Sequence, residues 1–167
     1  MSKYSKTIVL LLTALACANS QESHWRPTNG PYGGSITALA LNSQGYIIAG
    51  TLNGGVFLSK DSGKRWYNIL RTPCFVGDVA VDSDDAIYVS LHEDGLYRTT
   101  DNGEHWLKVN NGQSIDFVAF GINREVLLGS SRDDFQISSD SCLTWQRVSQ
   151  QRTDFMSCLV VDPKGNS

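Results

Sequence analysis

The chain repeats itself with a period close to 40 residues, and this repeat limits the fold more than any other feature. Three segments share the pattern Ser/Thr-x-Asp-x-x-x-x-Trp, namely "SKDSGKRW" at 59–66, "TTDNGEHW" at 99–106 and "SSDSCLTW" at 138–145. Their aspartates are 40 and 39 residues apart. A fixed period of this length indicates stacked structural units, each contacting its neighbours.

Within each repeat the pattern predicts four short β-strands. Apolar residues alternate in "ITALAL", "VGDVAV" and "IDFVAF", and polar turns separate them from "YIIAG", "AIYVS" and "EVLLG". Four strands in about 40 residues is the period of a propeller blade. The sequence therefore predicts an all-β chain, a β-propeller of four-stranded antiparallel blades with about three full blades. The predicted blades cover 35–71, 72–112 and 113–152, and a fourth starts at 153–167.

We call 59–66, 99–106 and 138–145 the boxes, and each is predicted to form the turn between the third and fourth strands. The aspartates accept backbone hydrogen bonds, the glycines supply a positive φ, and the tryptophans are apolar anchors. The predicted structural residues are Ser59, Asp61, Gly63, Trp66, Thr99, Asp101, Gly103, Trp106, Ser138, Asp140 and Trp145. "TTDNGEHW" is therefore interpreted as scaffold, with His105 at a surface position. Cys142 replaces the third glycine, which predicts a strained or differently shaped turn.

The boxes resemble the Asp-box, or bacterial neuraminidase repeat (BNR), and the surrounding sequence is similar to secreted BNR-like propellers of bacteria. That superfamily includes sialidases, xyloglucan-degrading glycosidases, photosystem II assembly factors and sortilin-type receptors. The resemblance implies the propeller fold but no particular activity. The chain lacks the Phe/Tyr-Arg-Ile-Pro signature expected of a sialidase, and it has Leu52 where xyloglucanase-like enzymes are expected to place an acid.

The N-terminus predicts export. Lys3 and Lys6 precede an apolar run, and small residues follow it, as in a secretory signal peptide over 1–18. Alternatively, 14–17 is a degenerate lipobox and Cys17 carries a lipid anchor. Either route indicates an exported bacterial protein that is secreted, periplasmic or at the cell surface. No transmembrane segment is predicted, because the apolar run is too short to cross a bilayer.

Charge and cysteine content exclude some classes of function. Removing 1–18 deletes two lysines and no acid, so the net charge changes from −3 to −5. Without a basic cluster, a nucleic-acid partner is not expected. No spacing indicates a metal site or cofactor, so none is predicted. Cys74, Cys142 and Cys158 are interpreted as small packed thiols, and whether any two form a disulfide is left open.

The repeat also predicts an open arc. "HWRPTNG" at 24–30 reads like the strand that follows a box, so 19–34 is predicted to hold the leading strand of an incomplete blade and a linker. "MSCLVVDPKGNS" at 156–167 reads like a first strand. These observations favour a fragment of a larger ring, and the alternative is closure by oligomerisation.

No catalytic residue is assigned. Propeller ligands usually contact the loops between the second and third strands, and the candidates there are Asn53, His92, Glu93, Asp94, Arg132, Asp133 and Asp134. The favoured function is a noncatalytic binding or scaffold module for a protein or glycan. The alternative is the N-terminal fragment of a sialidase-like or xyloglucanase-like glycoside hydrolase, in which Glu93 and Asp133 would form the carboxylate pair.

Overall fold

The computed structural model describes residues 30–31, 35–112, 115–130 and 135–148. Twelve strands lie within these residues and form three separate antiparallel sheets. The order within each sheet follows the chain, so every sheet is a meander of four consecutive strands. No helix occurs in the described part of the chain. The prediction of an all-β chain built from consecutive four-stranded antiparallel sheets is confirmed.

We call the three sheets blades 1, 2 and 3. Blade 1 contains β1 (Ile36–Leu41), β2 (Ile47–Thr51), β3 (Val56–Ser59) and β4 (Tyr67–Leu70). Blade 2 contains β5 (Val76–Val81), β6 (Ile87–Leu91), β7 (Gly95–Thr99) and β8 (Leu107–Asn110). Blade 3 contains β9 (Phe117–Phe120), β10 (Val126–Gly129), β11 (Gln136–Ser138) and β12 (Gln146–Arg147).

The first hairpins of blades 1 and 2 are closed by equivalent side chains. In blade 1, Asn42 Oδ1 accepts hydrogen bonds from the backbone N–H groups of Gln44 and Tyr46, at 3.1 and 2.8 Å. In blade 2, Asp82 Oδ1 accepts the two corresponding bonds at 2.9 Å. A short polar side chain at the start of each turn satisfies backbone donors that the sheet leaves unpaired, which fixes the hairpin register.

The hydrophobic core lies between the blades. One cluster joins blades 1 and 2 through buried residues such as Ile48, Val76 and Val89. A second joins blades 2 and 3, where the Tyr88 ring meets Phe120 edge-on at 5.1 Å. Fully burying an aliphatic side chain contributes about 1.5–3 kcal/mol, so each blade is stabilised by the next one along the chain.

A close approach between β2 and β5 sets the spacing of the first two blades. A Cβ atom built on Gly50 would lie 2.5 Å from Val76 Cγ1 and 3.0 Å from Val79 Cγ2. A larger side chain at position 50 would therefore push the blades apart.

Polar contacts supplement the apolar packing between blades. Asp78 Oδ2 accepts a hydrogen bond from the Val118 backbone N–H at 2.9 Å, which ties β5 to β9. At the surface, Ser43 donates its backbone N–H to Asp85 at 2.8 Å, and Arg124 pairs with Asp84 at 2.6 Å. The exposed contacts add little stability, and the apolar clusters carry most of the association.

Candidate functional site

The meander gives each blade two ends with different chemistry. The β1–β2 and β3–β4 turns, with their equivalents in blades 2 and 3, lie at the end that we call the box edge. The β2–β3 loop at 52–55, the β6–β7 loop at 92–94 and the inter-blade link at 71–75 lie at the other end, which we call the loop edge. The predicted structural residues fall at the box edge, and the described ligand candidates fall at the loop edge.

The three boxes form turns with the same hydrogen bonds. In the first, Ser59 Oγ donates to Asp61 Oδ1 at 3.0 Å and accepts the Gly63 N–H at 2.8 Å. Asp61 Oδ1 also accepts the Arg65 N–H at 2.8 Å. The corresponding bonds of the other boxes span 2.7–3.0 Å and involve Thr99, Asp101, Gly103 and His105, then Ser138, Asp140, Cys142 and Thr144.

These bonds stabilise the ionised aspartates. The backbone N–H of Arg65 lowers the pKa of Asp61, and the backbone N–H of His105 lowers that of Asp101. The hydroxyl of Thr144 is the main group that lowers the pKa of Asp140 to about 2. A carboxylate held ionised by its own turn is a poor general acid, since that role requires a raised pKa. The geometry favours a structural role for each box.

His105 belongs to the same turn. Its ring Nδ1 lies 2.7 Å from Asp101 Oδ2, and this bond raises the pKa of the imidazole. Together with Glu104, these residues place three potential metal ligand atoms within 4.8 Å of one another. All of them lie on a turn exposed to solvent, and Asp101 already accepts bonds from Thr99 and His105.

At the loop edge of blade 1 there is an open cleft of about 600 Å³, lined by Asn53, Gly54, Phe57, Asn68, Arg71, Thr72 and Pro73. Asn68 Nδ2 donates to the Gly54 carbonyl oxygen at 2.8 Å, which holds the β2–β3 loop against β4. The side chains of Asn53 and Arg71 have no hydrogen-bond or ion-pair partner among the described residues. The cleft thus combines an apolar wall with a free amide and a free guanidinium.

The loop edge of blade 2 carries three further candidates. Asp94 pairs with Lys108 Nζ at 2.8 Å and accepts the Tyr97 hydroxyl at 2.9 Å, and the Lys108 bond lowers the pKa of Asp94. His92 packs edge-on against Phe75, with ring centroids 6.0 Å apart. Glu93 is largely exposed, 4.0 Å from His92. The Asp94 carboxylate is therefore occupied by contacts within its own blade, while the exposed Glu93 carboxylate can contact a ligand.

The remaining candidates, Arg132, Asp133 and Asp134, lie outside the described residues. Pairing of Glu93 with Asp133 accordingly stays a prediction. The described candidates are not gathered into one pocket, because Asn53 lines the blade 1 cleft and His92, Glu93 and Asp94 belong to the next blade.

Four residues were missed by sequence reasoning. Arg71 lies in the link between blades 1 and 2, and Asn68 lies in β4. Asn68 and Lys108 occupy equivalent positions in β4 and β8, and both hold their own loop. The fourth is Asp78, whose pKa is raised by burial. The position of this charged residue inside the apolar strand "VGDVAV" could have indicated that Asp78 has a buried hydrogen-bond partner.

A second cleft, of about 530 Å³, lies at the box edge between the first two boxes. Its walls include Asp61 and Asp101, whose carboxylates are bound within their own turns. We therefore take the loop edge as the candidate binding surface.

Comparison with known proteins identifies the architecture. No protein-family model matches the chain. The curated oligoxyloglucan-reducing end-specific xyloglucanase of Emericella nidulans is 24% identical over an alignment of 94 residues, and the match covers 48% of this chain and 12% of that protein. The chain therefore spans a small part of the curated relative that it matches.

Solved structures match over a longer part of the chain. YCF48 from Cyanidioschyzon merolae has a TM-score of 0.64 at 17% identity, covering 78% of this chain and 42% of that one. YCF48 bound to D1 peptide gives 0.53 at 14% identity, covering 72% and 42%. The extracellular domain of the putative hybrid two-component system BT4673 from B. thetaiotaomicron gives 0.63 at 15% identity, covering 75% and 18%.

These likenesses show the fold alone. The chain is a partial β-propeller of four-stranded antiparallel blades. The described part of the chain contains no helix able to span a membrane.

Proposed function

We propose that this chain is an exported, noncatalytic propeller module that binds a protein or a glycan at its loop edge. The observation that carries the proposal is the blade 1 cleft, where Asn53 and Arg71 face solvent beside Phe57 and Pro73. Ligand sites combine apolar walls with a few polar groups that fix orientation. In the box-edge cleft, by contrast, the carboxylates of Asp61 and Asp101 are bound within their own turns.

Two comparisons support a binding role. A YCF48 structure contains a bound D1 peptide, and another match is an extracellular domain. A propeller offers loops at one end of a rigid scaffold, which suits recognition of an extended partner. Export rests on the N-terminal pattern, with signal peptidase cleavage or lipid attachment at Cys17 as the two routes.

A glycoside hydrolase fragment is the second candidate, and the xyloglucanase relative favours it. Glu93 has the exposure needed to reach a substrate. Its companion in such a mechanism would be Asp133, which should lie roughly 5–9 Å away across the scissile bond. Asp94 does not suit the general-acid role, because Lys108 holds it ionised.

Binding is tested with matched arginine variants. Arg71 and Arg65 are both exposed, but Arg71 lies at the loop edge and Arg65 at the box edge. Wild-type protein would be titrated with xyloglucan oligosaccharides and with an array of peptides, and Kd would be measured for the best probe. A hydrogen bond to a charged group contributes about 1.5–3 kcal/mol, so Arg71→Ala should weaken binding roughly tenfold or more.

The Arg65→Ala control should bind like the wild type. Equal losses in both variants would contradict a loop-edge site, and so would tight binding that neither variant weakens. Release of reducing sugar that Glu93→Gln abolishes would overturn the noncatalytic proposal in favour of the hydrolase.

A further inference from the structure

A cavity of about 190 Å³ lies at the box edge between blades 2 and 3. We call it the turn cavity, because the β5–β6 turn at 82–86 and the β9–β10 turn at 121–125 both line it. Its apolar walls include Tyr88 and Phe120, whose rings meet edge-on at 5.1 Å. Sites for drug-sized ligands measure roughly 300–1,000 Å³, so this cavity is of a size to receive a single side chain.

Asp82 lines the turn cavity and has a carboxylate oxygen that its own turn does not use. Oδ1 accepts the backbone N–H groups of Asp84 and Ala86, both at 2.9 Å. Oδ2 has no hydrogen-bond partner among the described residues. In blade 1 the neutral Asn42 makes the same two bonds through its Oδ1. The turn therefore requires one side-chain oxygen, and the charge of Asp82 is left over for another contact.

The surroundings of the turn cavity are negatively charged. Arg124 lies beside it, but both of its terminal nitrogens bond the Asp84 carboxylate, at 2.6 and 3.2 Å. A second cation, Arg98, lies over the Tyr88 ring at 5.5 Å and makes no ion pair with Asp82. Against these two bases, the two turns carry four acids, namely Asp82, Asp84, Asp85 and Glu125. The corresponding turn of blade 1, at 42–46, carries no charged residue.

The rim of the turn cavity is apolar where the other blades are polar. Ile122 is the second residue after the last paired residue of β9, and Ser43 and Ser83 hold this position after β1 and β5. Ile122 is 57% exposed and lines the cavity. An apolar rim beside an unused carboxylate oxygen is suited to a side chain that has both an apolar stem and a cationic end.

We propose that the turn cavity is a docking site for a partner protein, which inserts an arginine side chain between blades 2 and 3. The aliphatic stem packs on Phe120 and Ile122, and the guanidinium donates to Asp82 Oδ2. Arginine suits these walls, because its planar guanidinium packs on aromatic rings and forms strong hydrogen bonds with carboxylates. A neutral glycan gains nothing from the negative surroundings, and an anionic glycan is repelled by them. This surface is separate from the loop edge.

The proposal is tested by solution NMR on the intact, isotope-labelled protein. The probes are the peptide Ac-Leu-Arg-Leu-NH₂ and the same peptide with citrulline, which has nearly the shape of arginine but no charge. The arginine peptide should shift the backbone amide signals of Ser83, Gly121 and Ile122 in a saturable way. The citrulline peptide should bind roughly tenfold more weakly, because it loses a hydrogen bond between charged groups.

Matched variants locate the interaction. Asp82→Asn should weaken binding of the arginine peptide roughly tenfold. Its hairpin should still form, since Asn42 closes the equivalent turn of blade 1. Glu104→Gln is the control, because it also removes one negative charge from the exposed box edge but does not line the turn cavity. This control should bind like the wild type.

Three results would overturn the proposal: no shift of the cavity amides at millimolar peptide, equal binding of the arginine and citrulline peptides, or equal losses in Asp82→Asn and Glu104→Gln. Shifts confined to the loop edge would also contradict it. Arg71→Ala, which tests binding at the loop edge, should leave binding at the turn cavity unchanged. Failure of this proposal is therefore distinct from failure of the proposed function.

Discussion

Residue 142 holds a cysteine in the left-handed conformation that glycine adopts in the other two boxes. Its φ is 70°, against 83° at Gly63 and 92° at Gly103. In the first two boxes the residue directly before the glycine, Ser62 or Asn102, is also left-handed, with a φ of 58°. The third turn therefore has the same shape as the other two, and its backbone is strained because a residue with a Cβ atom adopts a positive φ. Of the two alternatives predicted from the sequence, the strained turn is correct and the differently shaped turn is wrong.

Two substitutions at position 142 isolate this strain. Cys142→Gly and Cys142→Ala both remove the buried sulfur, but only alanine retains a Cβ atom at a positive φ. We expect the glycine variant to be more stable than the alanine variant by about 1 kcal/mol in urea unfolding. Leu143→Ala, at an exposed neighbouring position, should change stability by less than about 0.5 kcal/mol. Equal stability of the two Cys142 variants would show that the turn is unstrained.

The box turn is the element whose stability depends most directly on ionisation. Its aspartate accepts bonds from the backbone and from a hydroxyl, and these bonds lower the pKa of Asp61, Asp101 and Asp140. A group whose pKa is lower in the folded state stabilises the protein above its unfolded pKa. That stability is lost as the pH falls through the folded value.

Acid titration of stability tests this linkage. For Asp140 the window lies between the ordinary pKa of 3.8 and about 2. We expect the free energy of unfolding to fall across this range, and Asp140→Asn to reduce the fall. Asp78 contributes with the opposite sign, because burial raises its pKa. The difference between wild type and Asp140→Asn removes that contribution, and identical pH profiles for the two proteins would contradict the account.

At the scale of the whole molecule, the blades are held together by contacts that cross from one repeat to the next. The box of blade 2 presses on β4 of blade 1, since a Cβ atom built on Gly103 would lie 2.6 Å from Ile69 Cβ. Gly45 also has a positive φ, but nothing lies within 4 Å of its Cβ position. The two glycines thus share a backbone conformation and differ in contact with a neighbouring blade.

This pair separates backbone strain from blade packing. Gly45→Ala should cost about 1 kcal/mol, the strain of a left-handed alanine. Gly103→Ala adds a steric clash between blades and should cost at least about 2 kcal/mol, since overpacking adds about 1–3 kcal/mol. Thermal and urea unfolding of both variants provide the measurement. Equal costs would mean that the blades move apart freely and that the interface contributes little.

Much of the architecture was determined by the sequence itself, because the same local pattern of strands and turns occurs three times in the chain. Strand alternation, a polar turn residue and a box every 40 residues specify each meander without long-range contacts. The box chemistry followed in the same way, since Asp, Gly and Ser or Thr satisfy backbone groups within a few residues of themselves. The candidate loops were also predictable in position, because the topology places alternate turns at one end.

Only the tertiary structure decided how neighbouring repeats meet. The sequence does not reveal that Gly50 admits Val76, that Asp78 bonds the Val118 N–H, or that each inter-blade indole reaches back to the preceding fourth strand. It likewise did not indicate that Lys108 forms an ion pair with Asp94, while Arg71 lies beside Asn53 with no partner among the described residues. These features join residues far apart in the chain or depend on side-chain direction. They arise from the packing of one blade against another, which a local pattern does not specify.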